Sequence, residues 1–406
     1  MSRPLCDYRR DRTQSRDPHD RSVRTIRLWV IFLVQLSAVS FIGREAVAQS
    51  AKEIELPITV RVDTSNSEIL AVYHLWKNYL NSRPDSIYAN PYWSEGEKRR
   101  YSDCDFARAW VYSSSSILHA YPPKLLSITQ EDSAYVLRTL YYAENLEEPY
   151  RSSNPWAIQR VYARREGGAW KLFNPLPVLT KAWNRQQIGR ILFVYSREDT
   201  LDVMLARQSA RFCDSLIEAF GLPAIDTIEF YVTRHADDLA RIIGLDFALG
   251  ATMGRSNAFN AQVFSAFGTP WYPHELVHVL FAREFPTHFM LGEGIATWLG
   301  GAVDKSASEL MKQLDAYLTE HPELTFEDLL DQPYLEGSTA LYYAAGAVWC
   351  SETSRIGGAS AVKRLLSHGT TADDLYAALK EILGLYRGNV MRALRERTRA
   401  IVTAVR

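Results

Sequence analysis

The chain of 406 residues is long enough for two or three domains rather than one small core. Its 47% hydrophobic and 23% charged residues are an ordinary globular balance, which excludes disorder over most of the length. A formal net charge of -1 leaves no overall field to attract nucleic acid or an anionic membrane.

Residues 1–27 are polar and arginine-rich. Leu28 to Ile42 then form an apolar run of about fifteen residues, shorter than the roughly twenty that a bilayer-crossing helix needs. Ala46-Val47-Ala48, a small-x-small site, follows before Gln49. This layout predicts a secretory signal peptide over 1–48, with an uncleaved signal anchor as the alternative. Either way the body from Gln49 is expected outside the cytoplasm, periplasmic or extracellular, with no integral membrane span once the leader is cut. Cys6 leaves with the leader. Cys104, Cys213 and Cys350 permit one disulfide and a free thiol, or no disulfide. The absence of a C-x-x-C pair argues against a thiolate metal site.

Ser65 to Asn81 predicts an amphipathic helix, with Ile69, Val72, Leu75, Trp76 and Leu80 at helical spacing. Pro, Ser, Asn and Asp between 81 and 103 predict loops. Ser133 to Ala143, Trp156 to Arg165 and Ala169 to Asn174 read as strands, the last two joined by a Gly167-Gly168 hairpin turn. This order, over about residues 55–180, is similar to the nuclear transport factor two-like cone fold; an unspecified α+β domain fits it equally. Pro175, Pro177 and the polar stretch Asn184 to Gly189 mark a domain boundary. Beyond it, Ile191 to Tyr195 and Thr227 to Val232 read as strands. Leu201 to Phe220 reads as a helix stopped by Gly221 and Pro223, and Asp237 to Ile243 as a short helix. Ala258 to Phe267, alternating small and apolar residues, reads as one further strand. Helices dominate from Ser306 onward and end with Asn389 to Ala400. The expected class is α+β, with an N-terminal α+β domain over 49–183, a second domain over 184–304 and a helical C-terminal lobe over 305–406.

The chemistry concentrates at His274-Glu275-Leu276-Val277-His278, an H-E-x-x-H pentapeptide. On a helix, residues four apart lie on one face, so both imidazoles can reach one ion at about 2.0–2.1 Å. Glu275 projects roughly 100° away from His274, beside the metal but not on it, where a general base for a metal-bound water belongs. Pro273 opens the helix, where its missing N–H is harmless, and Leu276, Val277, Val279 and Leu280 make the rest of the helix apolar.

A catalytic zinc site needs a third protein ligand and an open position. Glu284 and His288 are candidates, but the first lies on the wrong side of a continuing helix and the second sits in the connecting loop after Pro286. Glu293 is the better one. The fourteen residues 279–292 leave room for the rest of the helix, a loop and an antiparallel return. Gly292 and Gly294 flank the carboxylate and would let two backbones approach.

H-E-L-V-H followed by Leu291-Gly292-Glu293-Gly294-Ile295-Ala296-Thr297-Trp298 resembles the gluzincin peptidases, and most nearly their bacterial members with a short spacer and an E-G-x-A signature. The resemblance covers about residues 187–400. It implies a small mixed sheet over the metal helix, a helical lobe closing the cleft, and a Zn2+ ion on His274, His278 and Glu293. It also implies that Tyr343, in Tyr343-Ala344-Ala345-Gly346, donates its phenol to the tetrahedral intermediate; Tyr342 is the neighbouring alternative. The metzincin pattern is excluded, because Phe281 and Glu284 stand where Gly and His would be required. The aminopeptidase Gly-x-Met-Glu-Asn motif is also broken, since Gly254 follows Met253 in Gly250-Ala251-Thr252-Met253-Gly254-Arg255-Ser256-Asn257. The strand expected over Ala258 to Phe267 would instead pair with an extended substrate backbone.

The expected activity is hydrolysis of peptide or protein substrates, with Glu275 as general base and Thr297 a candidate partner for a ligand histidine. Two rival readings stand beside it. One is a binding module with a structural or silent zinc site; the other is a metal-dependent hydrolase of esters or epoxides.

Overall fold

The computed structural model describes residues 53–111, 118, 120–143, 155–249, 252–302, 304–331 and 341–404. The leader, Cys6, and Gly250-Ala251 lie outside these. The described chain mixes helices with two five-stranded sheets. No described helix is long and apolar enough to cross a membrane.

In the first half, α1 (Ser67–Leu80) starts at Asn66, whose side chain accepts from the backbone N–H groups of Glu68 and Ile69. It buries Val72, Trp76, Tyr79 and Leu80. The stretch expected as loop contains α2 (Glu95–Arg100), which is capped by Ser94 and too short and charged to show apolar periodicity. Then come α3 (Arg108–Val111) and strands β1 (Pro123–Glu131), β2 (Ala134–Tyr142), β3 (Pro155–Glu166) and β4 (Ala169–Phe173), paired antiparallel in the order β1-β2-β3-β4. The Trp76 indole donates to Thr139 Oγ1 at 2.8 Å, pinning α1 to β2.

After α4 (Pro175–Leu179) the polar stretch expected as boundary is β5 (Asn184–Ile188), an edge strand antiparallel to β6 (Ile191–Tyr195). Next is α5 (Val203–Phe220). Asp202 caps its start, a contribution of about 1 kcal/mol, and Gly221 ends it in the left-handed conformation. β7 (Ile228–Val232), α6 (Ala236–Ile242) and β8 (Leu245–Ala248) follow, and β8 pairs with β3 of the first sheet.

Of the residues expected to form one strand from Ala258 to Phe267, Gln262 to Ser265 do so, while Ala258 to Ala261 form the turn of a hairpin whose first strand lies earlier. β9 (Gly254–Asn257) leads into a 3-10 turn over Ala258–Asn260, and Ala261, at φ +50°, turns the chain into β10 (Gln262–Ser265). The second sheet has the order β5-β6-β7-β10-β9, with a parallel centre and antiparallel edges. Both of its faces are covered, so β6 and β7 read as near-continuous apolar runs. Phe193, Phe230 and Val263 face the helices, while Val194, Tyr231 and Phe264 join the core of the N-terminal half.

The helices are α7 (Pro273–Phe281), α8 (Phe289–Gly300), α9 (Ala307–Glu320), α10 (Phe326–Asp331), α11 (Leu341–Leu366), α12 (Ala372–Leu383) and α13 (Val390–Ala404). α11 is kinked at Gly357-Gly358. Cys104, Cys213 and Cys350 are buried free thiols, so no disulfide joins them.

Candidate metal centre

α7 packs its apolar side into the core through Leu276, Val277, Val279, Leu280 and Phe281, which are all nearly inaccessible. That fixes where its polar face points. His274 and His278 stand four residues apart, with ring centroids 4.8 Å apart. Their Nε2 atoms are 3.1 Å apart. Glu293 Oε2 lies 3.1 Å from His274 Nε2 and 3.4 Å from His278 Nε2. A tetrahedral ion with bonds of about 2.0–2.1 Å sets its ligands roughly 3.3–3.4 Å apart. The three donors are therefore spaced to hold one small metal ion. They are the one group of this kind among the described residues.

The local backbone explains how α8 delivers Glu293. A Cβ on Gly294 would sit 2.3 Å from the backbone carbon of Gly346 on α11, and a Cβ on Gly346 would sit 2.0 Å from the carbonyl oxygen of Met290. Only glycine at both positions allows α8 and α11 to touch backbone to backbone. Gly292 has no such role: its added Cβ would meet nothing closer than Thr287 Cγ2, at 3.5 Å. At the other end of α8, a Cβ on Gly300 would lie 2.6 Å from the backbone nitrogen of His274. This contact brings the carbonyl oxygen of Gly301 to 2.7 Å from His274 Nδ1. A carbonyl there accepts from the Nδ1–H, which keeps the proton on Nδ1 and leaves Nε2 free to ligate.

Gly301 thus fills the role expected of Thr297, whose buried hydroxyl has no hydrogen-bond partner among the described residues. His288 is the N-cap of α8 and accepts from the N–H of Met290 at 3.2 Å, so it is a capping residue rather than a ligand. Glu284 is exposed, past the end of α7. Tyr343 packs its ring 5.8 Å from the His274 ring, while Tyr342 is buried and lies against Phe289.

Electrostatics match this geometry. Burial opposes charge on His278, but the Glu293 carboxylate overcomes it and pushes the imidazole up to about 9. Burial likewise opposes ionisation of Glu293, and the two histidines outweigh it, holding the carboxyl well below its ordinary range. Glu275 differs. It is only 8% exposed, yet its carboxylate has no hydrogen bond or ion pair among the described residues. A buried carboxylate left open beside three convergent donors is free to take a proton from a bound water or substrate.

Around the site, β10 is paired on both sides, so it cannot receive a substrate strand; of the sheet's two edge strands, β5 and β9, the one beside β10 is β9. Gly254 on β9 is required because a Cβ there would lie 1.7 Å from the Tyr272 ring. Burial, and then Glu275, push the Tyr272 phenol above its ordinary range. No family model matches this chain, and no curated protein matches it either.

Proposed function

We propose that this chain is an exported zinc-dependent metallopeptidase of the gluzincin kind, with its catalytic centre on α7 and α8. The observation that carries the reading is the convergence of His274, His278 and Glu293 at ligand spacing with Glu275 open beside them. The donor set of two imidazoles and one carboxylate suits zinc and leaves a coordination position open. When bound, zinc would supply Lewis acidity and lower the pKa of a water.

The chain's own residues do the rest. Gly301 holds His274 in the ligating tautomer. Glu275 takes the proton of the attacking water and returns it to the leaving amine. Tyr343 donates its phenol toward the developing oxyanion. An extended peptide lies along the open edge of β9. In this reading residues 49–183 form an N-terminal α+β domain that flanks the cleft, 184–304 the zincin-like catalytic domain, and 305–406 the helical lobe.

The test is Glu275→Gln, assayed on a peptide library with zinc content measured alongside. Zinc is expected to stay while turnover drops by about 10²-fold or more. Full turnover in the variant would remove the general-base role.

A further inference from the structure

Arg255 lies on β9, the open edge strand. It pairs in register with Phe264, so it belongs to the sheet face turned toward the N-terminal half. That half is tied to the same hairpin: Asn260 donates to the carbonyl of Asp103 at 2.8 Å and accepts from its N–H at 3.0 Å. The nearby carboxylates already have partners. Asp103 accepts from Arg108 Nε at 3.0 Å, and Asp105 accepts from the Tyr79 hydroxyl at 2.8 Å. Arg255 is half-buried, and its guanidinium has no hydrogen bond or ion pair among the described residues. Burial lowers its pKa, against the pull of Asp103, Glu275 and Asp105. A half-buried guanidinium with no protein partner of its own among the described residues is free to pair with an anion from outside. Its planar fork matches a carboxylate.

We propose that Arg255, on the edge strand that packs at Gly254 against Tyr272 at the start of α7, binds a carboxylate of the substrate and so selects anionic peptides. This rests on the peptidase reading. The carboxylate is either the chain terminus or an Asp or Glu side chain near the cleaved bond. Substrates would then be drawn from peptides ending close to the cleavage point or acidic beside it.

Three short peptides of one sequence separate the sources: a free acid, the C-terminal amide, and the amide with Asp as its last residue. Binding is measured by calorimetry on the full chain, zinc-loaded and zinc-free, for the native protein, Arg255→Met and Arg255→Lys. At least one carboxylate peptide is expected to bind about tenfold or more tightly than the plain amide in both metal states. Preference for the free acid alone identifies the terminus, and preference for the Asp peptide alone identifies the side chain. Arg255→Met should abolish the preference and leave amide binding and zinc content unchanged, while Arg255→Lys restores part of it. Equal binding of all three peptides, no binding of any, or a preference that survives Arg255→Met overturns the assignment. The last result, where it is confined to the zinc-loaded chain, would place the carboxylate on the metal instead. A chain that binds no zinc yet keeps an Arg255-dependent preference would sink the peptidase reading and leave the anion site standing.

Discussion

Gly294 and Gly346 meet backbone to backbone where α8 crosses α11, too close for a side chain on either. One contact thereby positions two groups of the proposed site, because Glu293 precedes the first glycine and Tyr343 lies one turn before the second. Gly346→Ala is expected to lower stability by about 1–3 kcal/mol or more through overpacking, and to weaken metal binding as α8 shifts. Gly292→Ala, in the same helix but where the added methyl makes only an ordinary contact with Thr287, is expected to be neutral or to stabilise by up to about 1 kcal/mol. Urea denaturation of both variants checks this. Equal losses would mean that the crossing tolerates a methyl group.

Gly301 and Thr297 offer a second contrast. Since the Gly301 carbonyl holds His274, the Thr297 hydroxyl is dispensable to the metal. Thr297→Val removes a buried hydroxyl with no partner among the described residues, so zinc affinity should change by less than about threefold, without the 10–100-fold loss usual when a ligand's supporting partner is removed. A chelator competition titration reads the difference.

The buried carboxyl of Asp105 gives a pH signature in the N-terminal half. Burial raises it to about 6, against the opposing effects of Arg108 and the Tyr79 hydroxyl. An unfolded aspartate titrates near 3.9. The folded form therefore holds its proton more tightly, and the associated stability is full below about pH 4, falls between about pH 4 and 6, and stays lost above. The change is on the order of 3 kcal/mol. Asp105→Asn still accepts from Tyr79 and cannot ionise, so the native protein should lose more stability than the variant between pH 4 and pH 7. Parallel denaturation curves at the two pH values test it; an equal loss would show that Asp105 does not titrate in this window.

Much of this was legible in the sequence where a side-chain pattern carries the structure. The apolar spacing of α1, the Gly221 stop of α5, and the His274-Glu275-x-x-His278 face are such patterns. The β9–β10 hairpin was not, because small and apolar residues alternate straight through it and its reversal depends on Ala261 at positive φ, a conformation that non-glycine residues seldom signal. β8 exists through its pairing with β3, a distant partner that local sequence does not name. The His274 partner is a backbone carbonyl, which has no residue signature, whereas the hydroxyl of the more conspicuous Thr297 has no hydrogen-bond partner among the described residues. Arg255 stood in plain sight beside Gly254, but only the satisfied state of Asp103 and Asp105 singles it out.

The most direct test of the metal centre is elemental analysis of zinc in the purified chain, beside His274→Ala and Glu293→Ala. The expected result is about one zinc per chain in the native protein and its loss in both variants. A native chain without zinc, or zinc retained by Glu293→Ala, would contradict it.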